Sequence, residues 1–171
     1  MDNKEMNEKI ILSFLMHTPS LLFDDKYPIK AKDFSKKVYK QMYSAMLNLY
    51  ARGNTDIQPQ EVIMQIGKSA SAFKEFQEAR GEGLLNEINN LNYNAYDYDI
   101  QYSNLKKYSL FHDLRDSGIE ISDLYNPLAE PDKAMAMADK IDRMSYKEII
   151  DHYREKIAKI EDRYENFIEK S

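Results

Sequence analysis

A chain of 171 residues that is 43% apolar and 31% charged, with five glycines and five prolines, is long enough for one domain with an appended arm; that composition favours packed helices over disorder. Its formal charge of −5 excludes the basic footprint of a typical duplex-binding domain, and its lack of cysteine excludes a disulfide framework and a thiolate metal site. The charged start, Met1 to Glu8, does not read as a signal peptide, and no apolar run approaches the roughly 20 residues of a spanning helix, so a cytoplasmic protein without membrane contact is expected.

In chain order, Ile10, Ile11, Phe14 and Leu15 recur at helical spacing and predict a first helix over residues 4–16. Thr18-Pro19 opens a short turn, and Pro28 breaks the chain again. Ser35 is placed to cap a helix whose apolar stripe is Val38, Met42, Met46 and Leu49, with Tyr39, Tyr43 and Tyr50 beside it and Gly53-Asn54 at its end. Gln58-Pro59 starts a short helix with Val62, Ile63 and Ile66. Another short helix holds Phe73 and Phe76, Gly81 to Gly83 punctuates, and Leu84, Leu85, Ile88 and Leu91 form the next. Thirteen tyrosines and no tryptophan imply many half-buried phenol rings with their hydroxyls at the surface.

From Asn94 to about Tyr125 no proline intervenes, and Tyr98, Tyr102, Leu105, Leu110, Leu114 and Ile121 keep a helical period, which predicts one long helix. Asn126-Pro127 turns the chain into a shorter helix from Pro131 to Met144, completing an αα-hairpin. Ser145 is placed to cap the last helix. There Tyr146, Ile150, Tyr153, Ile157, Ile160, Tyr164 and Phe167 alternate in steps of four and three, a heptad seam on an otherwise charged helix. A helix with one narrow apolar stripe has to dock on something outside itself. The expected organisation is all-α: a head of short helices (1–93), a helical hairpin (94–144) and a projecting linker helix (145–171).

Few residues invite catalysis. Gly67-Lys68-Ser69 resembles the end of a phosphate-binding loop, but Val62 stands where that loop needs its first glycine, and no strand precedes it. A helix C-terminus explains it better. Asp97 and Asp99 point to different sides of a helix and suit its N-terminal dipole. His17, His112 and His152 are dispersed; Glu148 and His152 share a face but lack a third ligand. Tyr93, Tyr96, Tyr98 and Tyr102 could stack bases, yet acids rather than Lys or Arg are interleaved with them, so packing tyrosines and at most weak single-strand binding are expected. No catalytic residue, cofactor or metal site is assigned.

With these patterns in hand, several stretches resemble the N-terminal domain of DnaB-type replicative DNA helicases. Ile10 to Met16 resembles that family's first helix. Asp33-Phe34, the helix Tyr39 to Arg52 and Gly53 resemble its Asp-Phe, long helix and glycine arrangement. Leu84 to Ile88 resembles the short helix before its hairpin, and Leu105 to Ile121 the first arm of that hairpin, with a glycine inside the arm. The resemblance covers about residues 8–168. Tyr39 and Met42-Tyr43 stand where the family commonly has His and Ile-Phe, and Asp56-Ile57 where it has Ile-Asp, as in a divergent, phage-type member.

The resemblance implies a non-catalytic domain, without cofactor, whose heads and hairpins pair into dimers that form a collar on a hexameric ATPase ring. It implies primase, and sometimes a loader, as partners of a primosome in DNA replication, and a linker helix that docks on a neighbouring ATPase domain. Leu110, Leu114, Gly118, Ile121, Met137 and Ile141 are then the expected self-association residues, on an arm that runs helically through Gly118. Ile150, Tyr153, Ile157, Ile160, Tyr164 and Phe167 are the expected docking face of the linker helix. The natural chain is expected to continue into an ATPase domain. The alternatives are the helicase-binding domain of a primase, a self-standing loader or inhibitor that binds a helicase, and a single-stranded nucleic-acid binder.

Overall fold

The computed structural model describes residues 3–170, apart from the side chains of Asn166 and of residues 168–170, and the regular structure within that range is entirely helical. The eight α-helices are α1 (Asn3–His17), α2 (Lys37–Ala51), α3 (Pro59–Ile66), α4 (Ala70–Glu78), α5 (Gly81–Asn89), α6 (Tyr98–Asp116), α7 (Pro131–Arg143) and α8 (Tyr146–Lys170), with 3-10 turns at Pro19–Phe23, Ala31–Asp33 and Tyr93–Ala95. The all-α expectation is met. The expected end of the last helix at Ser171 lies outside the described residues. The chain forms two compact units, Met1–Ser117 and Gly118–Ser171.

In the first unit α1 is the central helix, packed by α2, α5 and α6. Being surrounded, it buries far more than the stripe read from its sequence: Leu12 and Met16 join Ile10, Ile11 and Leu15 in the core, and Asn7, Glu8, Lys9 and Ser13 are buried too. Buried charges persist only when paired and hydrogen-bonded. Glu8 accepts from the Ser35 hydroxyl at 2.7 Å and from the Ser35 backbone N–H, and Lys9 reaches Glu87 at 2.9 Å. Ser35 is therefore not the cap of α2 that the sequence suggests. The cap position falls on Lys36, because the Ser35 side chain is committed to Glu8.

The residues that carried the family resemblance are structural anchors. Asp33, 2% exposed, accepts from Ser109 at 2.6 Å and Lys106 at 2.8 Å, tying the turn before α2 to α6, and Phe34 beside it enters the core. The tyrosines at divergent positions put rings in the core and aim hydroxyls at fixed acceptors: Tyr39 at Glu5 (2.7 Å) and Tyr43 at the Ile29 carbonyl (2.8 Å). Burial, then the Glu5 carboxylate, pushes the Tyr39 phenol well above its ordinary range.

Three sequence expectations are corrected. Gly81 to Gly83 does not break the chain; these residues form the first turn of α5, and the break falls at Arg80, in the left-handed region at φ 56°. Gly81 answers to packing: a Cβ there would lie 2.3 Å from the Phe76 ring. Next, α6 starts at Tyr98 rather than Asn94, since Asp97 caps it by accepting from the Ile100 N–H at 3.2 Å. Finally, the helix does not run through Gly118. It ends at Asp116, the Ser117 N–H bonds the Asp113 carbonyl at 3.0 Å, and Gly118 takes φ 88° as the residue that closes a helix C-terminus. An α-helix holding that glycine would forgo about 1 kcal/mol against alanine; the left-handed stop uses the same glycine without strain. Residues 98–116 thus belong to the first unit.

Candidate assembly surface

Two sets of residues were expected to mediate assembly. Of the first set, Leu110 and Leu114 lie half-buried on α6 in the first unit. Gly118 is exposed at the start of the second unit, whose Ile121 and Ile141 are buried at 5% and 0% exposure, with Met137 half-buried on α7. α6 ends at Asp116, before Gly118 and Ile121.

The second set lies on α8. Ser145 and Glu148 form a reciprocal cap: the Glu148 N–H donates to the Ser145 hydroxyl at 3.0 Å, and the Ser145 N–H to the Glu148 carboxylate at 3.4 Å. This gives Glu148 a structural task at the helix start. Along the stripe, exposure rises steadily: Tyr153 is 3% exposed, Ile157 46%, Ile160 48%, Tyr164 57% and Phe167 73%. Four large apolar side chains at steps of three and four therefore share one open face. At the helix start the buried residue is Ile149, fully covered, while Ile150 is half-buried and Tyr146 is 49% exposed. At 3.6 residues per turn Ile149 lies about 40° around the helix from the buried Tyr153 and Ile150 about 60° to the other side, so Ile149 is the inner of the two.

Beside Tyr153 sits a polar cluster that the sequence did not announce. The Asp123 carboxylate, in the segment between Gly118 and α7, receives Lys156 Nζ at 2.6 Å, the Tyr153 hydroxyl at 3.1 Å and His152 Nε2 at 2.6 Å. Burial raises the Asp123 pKa, but the hydrogen bonds from Lys156, His152 and Tyr153 outweigh it and hold the carboxyl down to about 2. The Tyr153 hydroxyl also meets the Ile121 carbonyl at 3.4 Å, and Lys156 Nζ lies 5.6 Å from the Tyr153 ring centre. The available signal was the spacing: His152, Tyr153 and Lys156 flank one side of the stripe. Their acceptor comes from a loop, and no periodicity marks it.

The remaining candidates have structural roles. Gly67 ends α3, and Ser69 caps α4 by accepting from the Ala72 N–H at 3.3 Å. Asp99 accepts from the Tyr27 hydroxyl. Tyr93 stacks on His17 at 4.7 Å, Tyr98 meets Phe14 edge-on at 5.1 Å, and Tyr102 donates to the Pro28 carbonyl at 2.7 Å. Three of the four tyrosines that could have stacked bases are thus engaged within the head, while Tyr96 is 41% exposed.

Comparison with known proteins sets these features in context. The family model for the DnaB-like helicase N-terminal domain matches residues 1–99. The chain is also similar to the SPbeta prophage-derived uncharacterized protein YorI of Bacillus subtilis (strain 168), at 26% identity over 156 residues. That alignment covers 90% of this chain and 31% of the relative, so the chain spans about a third of the relative's length. No solved structure matches.

Proposed function

The chain belongs to the DnaB-like helicase N-terminal domain family, and on that premise we propose that it serves as the non-catalytic collar and assembly module of a hexameric replicative DNA helicase. The observation that carries this reading is the open face of α8, where Ile157, Ile160, Tyr164 and Phe167 meet water. A narrow stripe on a charged helix suits docking into a groove of another protein body, and the ATPase domain of a ring neighbour is the groove this reading supplies.

The other partners follow from the same premise: a second copy of the chain, meeting α6 at Leu110 and Leu114, and a primase or helicase loader on the head. Single-stranded DNA is bound weakly at most, because the net charge of −5 supplies no cationic track. No described helix is long and apolar enough to cross a membrane, and a role in DNA replication places the protein in the cytoplasm.

The test is the double substitution Ile157→Lys, Ile160→Lys, made in this chain and in a longer chain carrying an ATPase domain. The thermal transition of this chain should be unchanged, since both positions are nearly half exposed. Light scattering on the longer chain should show loss of the hexamer. A hexamer that survives the substitution sinks the docking role, and collapse of this chain's fold would assign α8 to the core instead. Leu114→Asp tests pairing in the same way: a folded monomer is expected, because a carboxylate buried at an interface without a partner costs several kcal/mol.

A further inference from the structure

The stripe of α8 is covered at one end and open at the other, and a non-helical segment bonds the covered end. Tyr153 is 3% exposed, yet Ile157, one turn further on the same face, is 46% exposed. Residues 119–125 bond the Tyr153 hydroxyl through the Ile121 carbonyl at 3.4 Å and the Asp123 carboxylate at 3.1 Å. Asp123 fastens this segment by its further bonds to His152 and Lys156, both at 2.6 Å, which flank the same stripe.

We propose that residues 119–125 are a releasable strap: they cover Tyr153 while the chain is unassembled and give it up when a partner docks along α8. Release joins Tyr153 to Ile157, Ile160 and Tyr164 as one continuous apolar seam. This rests on the reading of α8 as a docking helix, and it adds a competitor for the same face within the chain.

Three features make the strap releasable. Its fastening is accessible to water, with Asp123, His152 and Lys156 side chains 34%, 33% and 43% exposed; ion pairs of that kind contribute little net stability and break locally at small cost. Both ends are turns. Gly118 has φ 88° in open space, and Asn126-Pro127 lies on the far side. Inside the strap the bonds are those of short turns: Leu124 and Tyr125 donate to the Ile121 carbonyl at 3.1 and 2.9 Å, and the Ser122 N–H to the Glu120 carboxylate at 3.1 Å. Against release stand Ile121 and Leu124, both buried, so the closed form dominates until another apolar surface offers to cover the stripe.

Hydrogen exchange read by mass spectrometry on the whole chain tests this without any partner. The amides of Leu124 and Tyr125 should exchange faster than those of α8 around Tyr153, because the strap opens while the helix persists. Asp123→Ala should accelerate the strap amides about tenfold, the effect of losing its charge-assisted bonds, and leave α8 and the first unit unchanged. Lys156→Met should act in the same direction and more weakly. The fluorescent probe bis-ANS should bind Asp123→Ala more strongly than wild type, and the gain should vanish when Ile157→Lys and Ile160→Lys are added. Strap and α8 amides exchanging together at one rate, or no response to Asp123→Ala, overturns the proposal. The exchange result does not depend on ring assembly. A strap that opens as described, beside a hexamer indifferent to the Ile157→Lys, Ile160→Lys pair, would refute the docking role while leaving the opening itself established.

Discussion

The two units of this chain enclose their apolar residues to different degrees. In the first, α1 is enclosed by α2, α5 and α6, and Leu12, Leu15, Tyr39, Met42 and Met46 are all sealed from water. In the second, the buried apolar side chains are Ile121, Leu124, Ile141, Ile149 and Tyr153, while Ile157, Ile160, Tyr164 and Phe167 remain in water. A short segment with two helices has too little volume to enclose its own apolar surface. The first unit reads as a body that folds on its own account, and the second as one that keeps apolar surface for something else.

The sharpest way to break that contrast is to truncate each core. Leu12→Ala should cost the first unit about 3 kcal/mol, a fully enclosed leucine leaving a cavity, read as a lowered denaturant midpoint. A cost near zero would mean the head is looser than its burial indicates.

Acid should separate the units by the order in which they weaken. In the first, burial, then the nearby Lys4 and Arg115 charges, lowers the His112 pKa from 6.5 to about 4. A depressed histidine contributes stability above its unfolded pKa that is lost as pH falls from 6.5 through 4, about 1–2 kcal/mol once screening of the half-buried ring is allowed for. In the second, Asp123 is held down to about 2 from 3.8, so its contribution is complete above 3.8 and lost only as pH falls towards 2. Because its side chain is a third exposed, about 1 kcal/mol remains after solvent screening. Thermal scans from pH 7 to 3 should show the head losing stability first, and His112→Gln should flatten its slope. A head stable to pH 4 would contradict the burial of His112.

A finer test compares glycines within α5. Gly81→Ala should cost about 1–3 kcal/mol, since the new Cβ meets the Phe76 ring. Gly83→Ala meets nothing within 4 Å and should be neutral or slightly stabilising through helix propensity. Equal effects at the two sites, measured by denaturant melts, would show that the ring yields. The smallest expected effect belongs to the second unit: Ile160→Lys in this chain should change stability by less than about 0.5 kcal/mol.

Much of the architecture was legible beforehand because local chemistry wrote it. Pro59 and Pro131 open helices, Ser145 caps α8, and the four-three spacing from Ile157 to Phe167 marked a stripe that the structure leaves open. Asp33-Phe34 carried a family resemblance and turned out to be a buried anchor. Where sequence reasoning failed, a residue had two lawful uses. Ser35 could cap a helix or serve Glu8, Gly118 could continue α6 or stop it, and Gly81 could break a helix or admit the Phe76 ring.

What the sequence alone determined, then, is helix content, most helix starts and the apolar face of α8, since propensity, capping and periodicity act between residues a few positions apart. What only the tertiary structure decided is which charges are buried and which loop residue meets which helix. Glu8 beneath Ser35, and Asp123 against His152, Tyr153 and Lys156, join groups some 30 positions apart. The free energy of such pairs depends on desolvation and on donors brought together by the fold, quantities that no local pattern encodes.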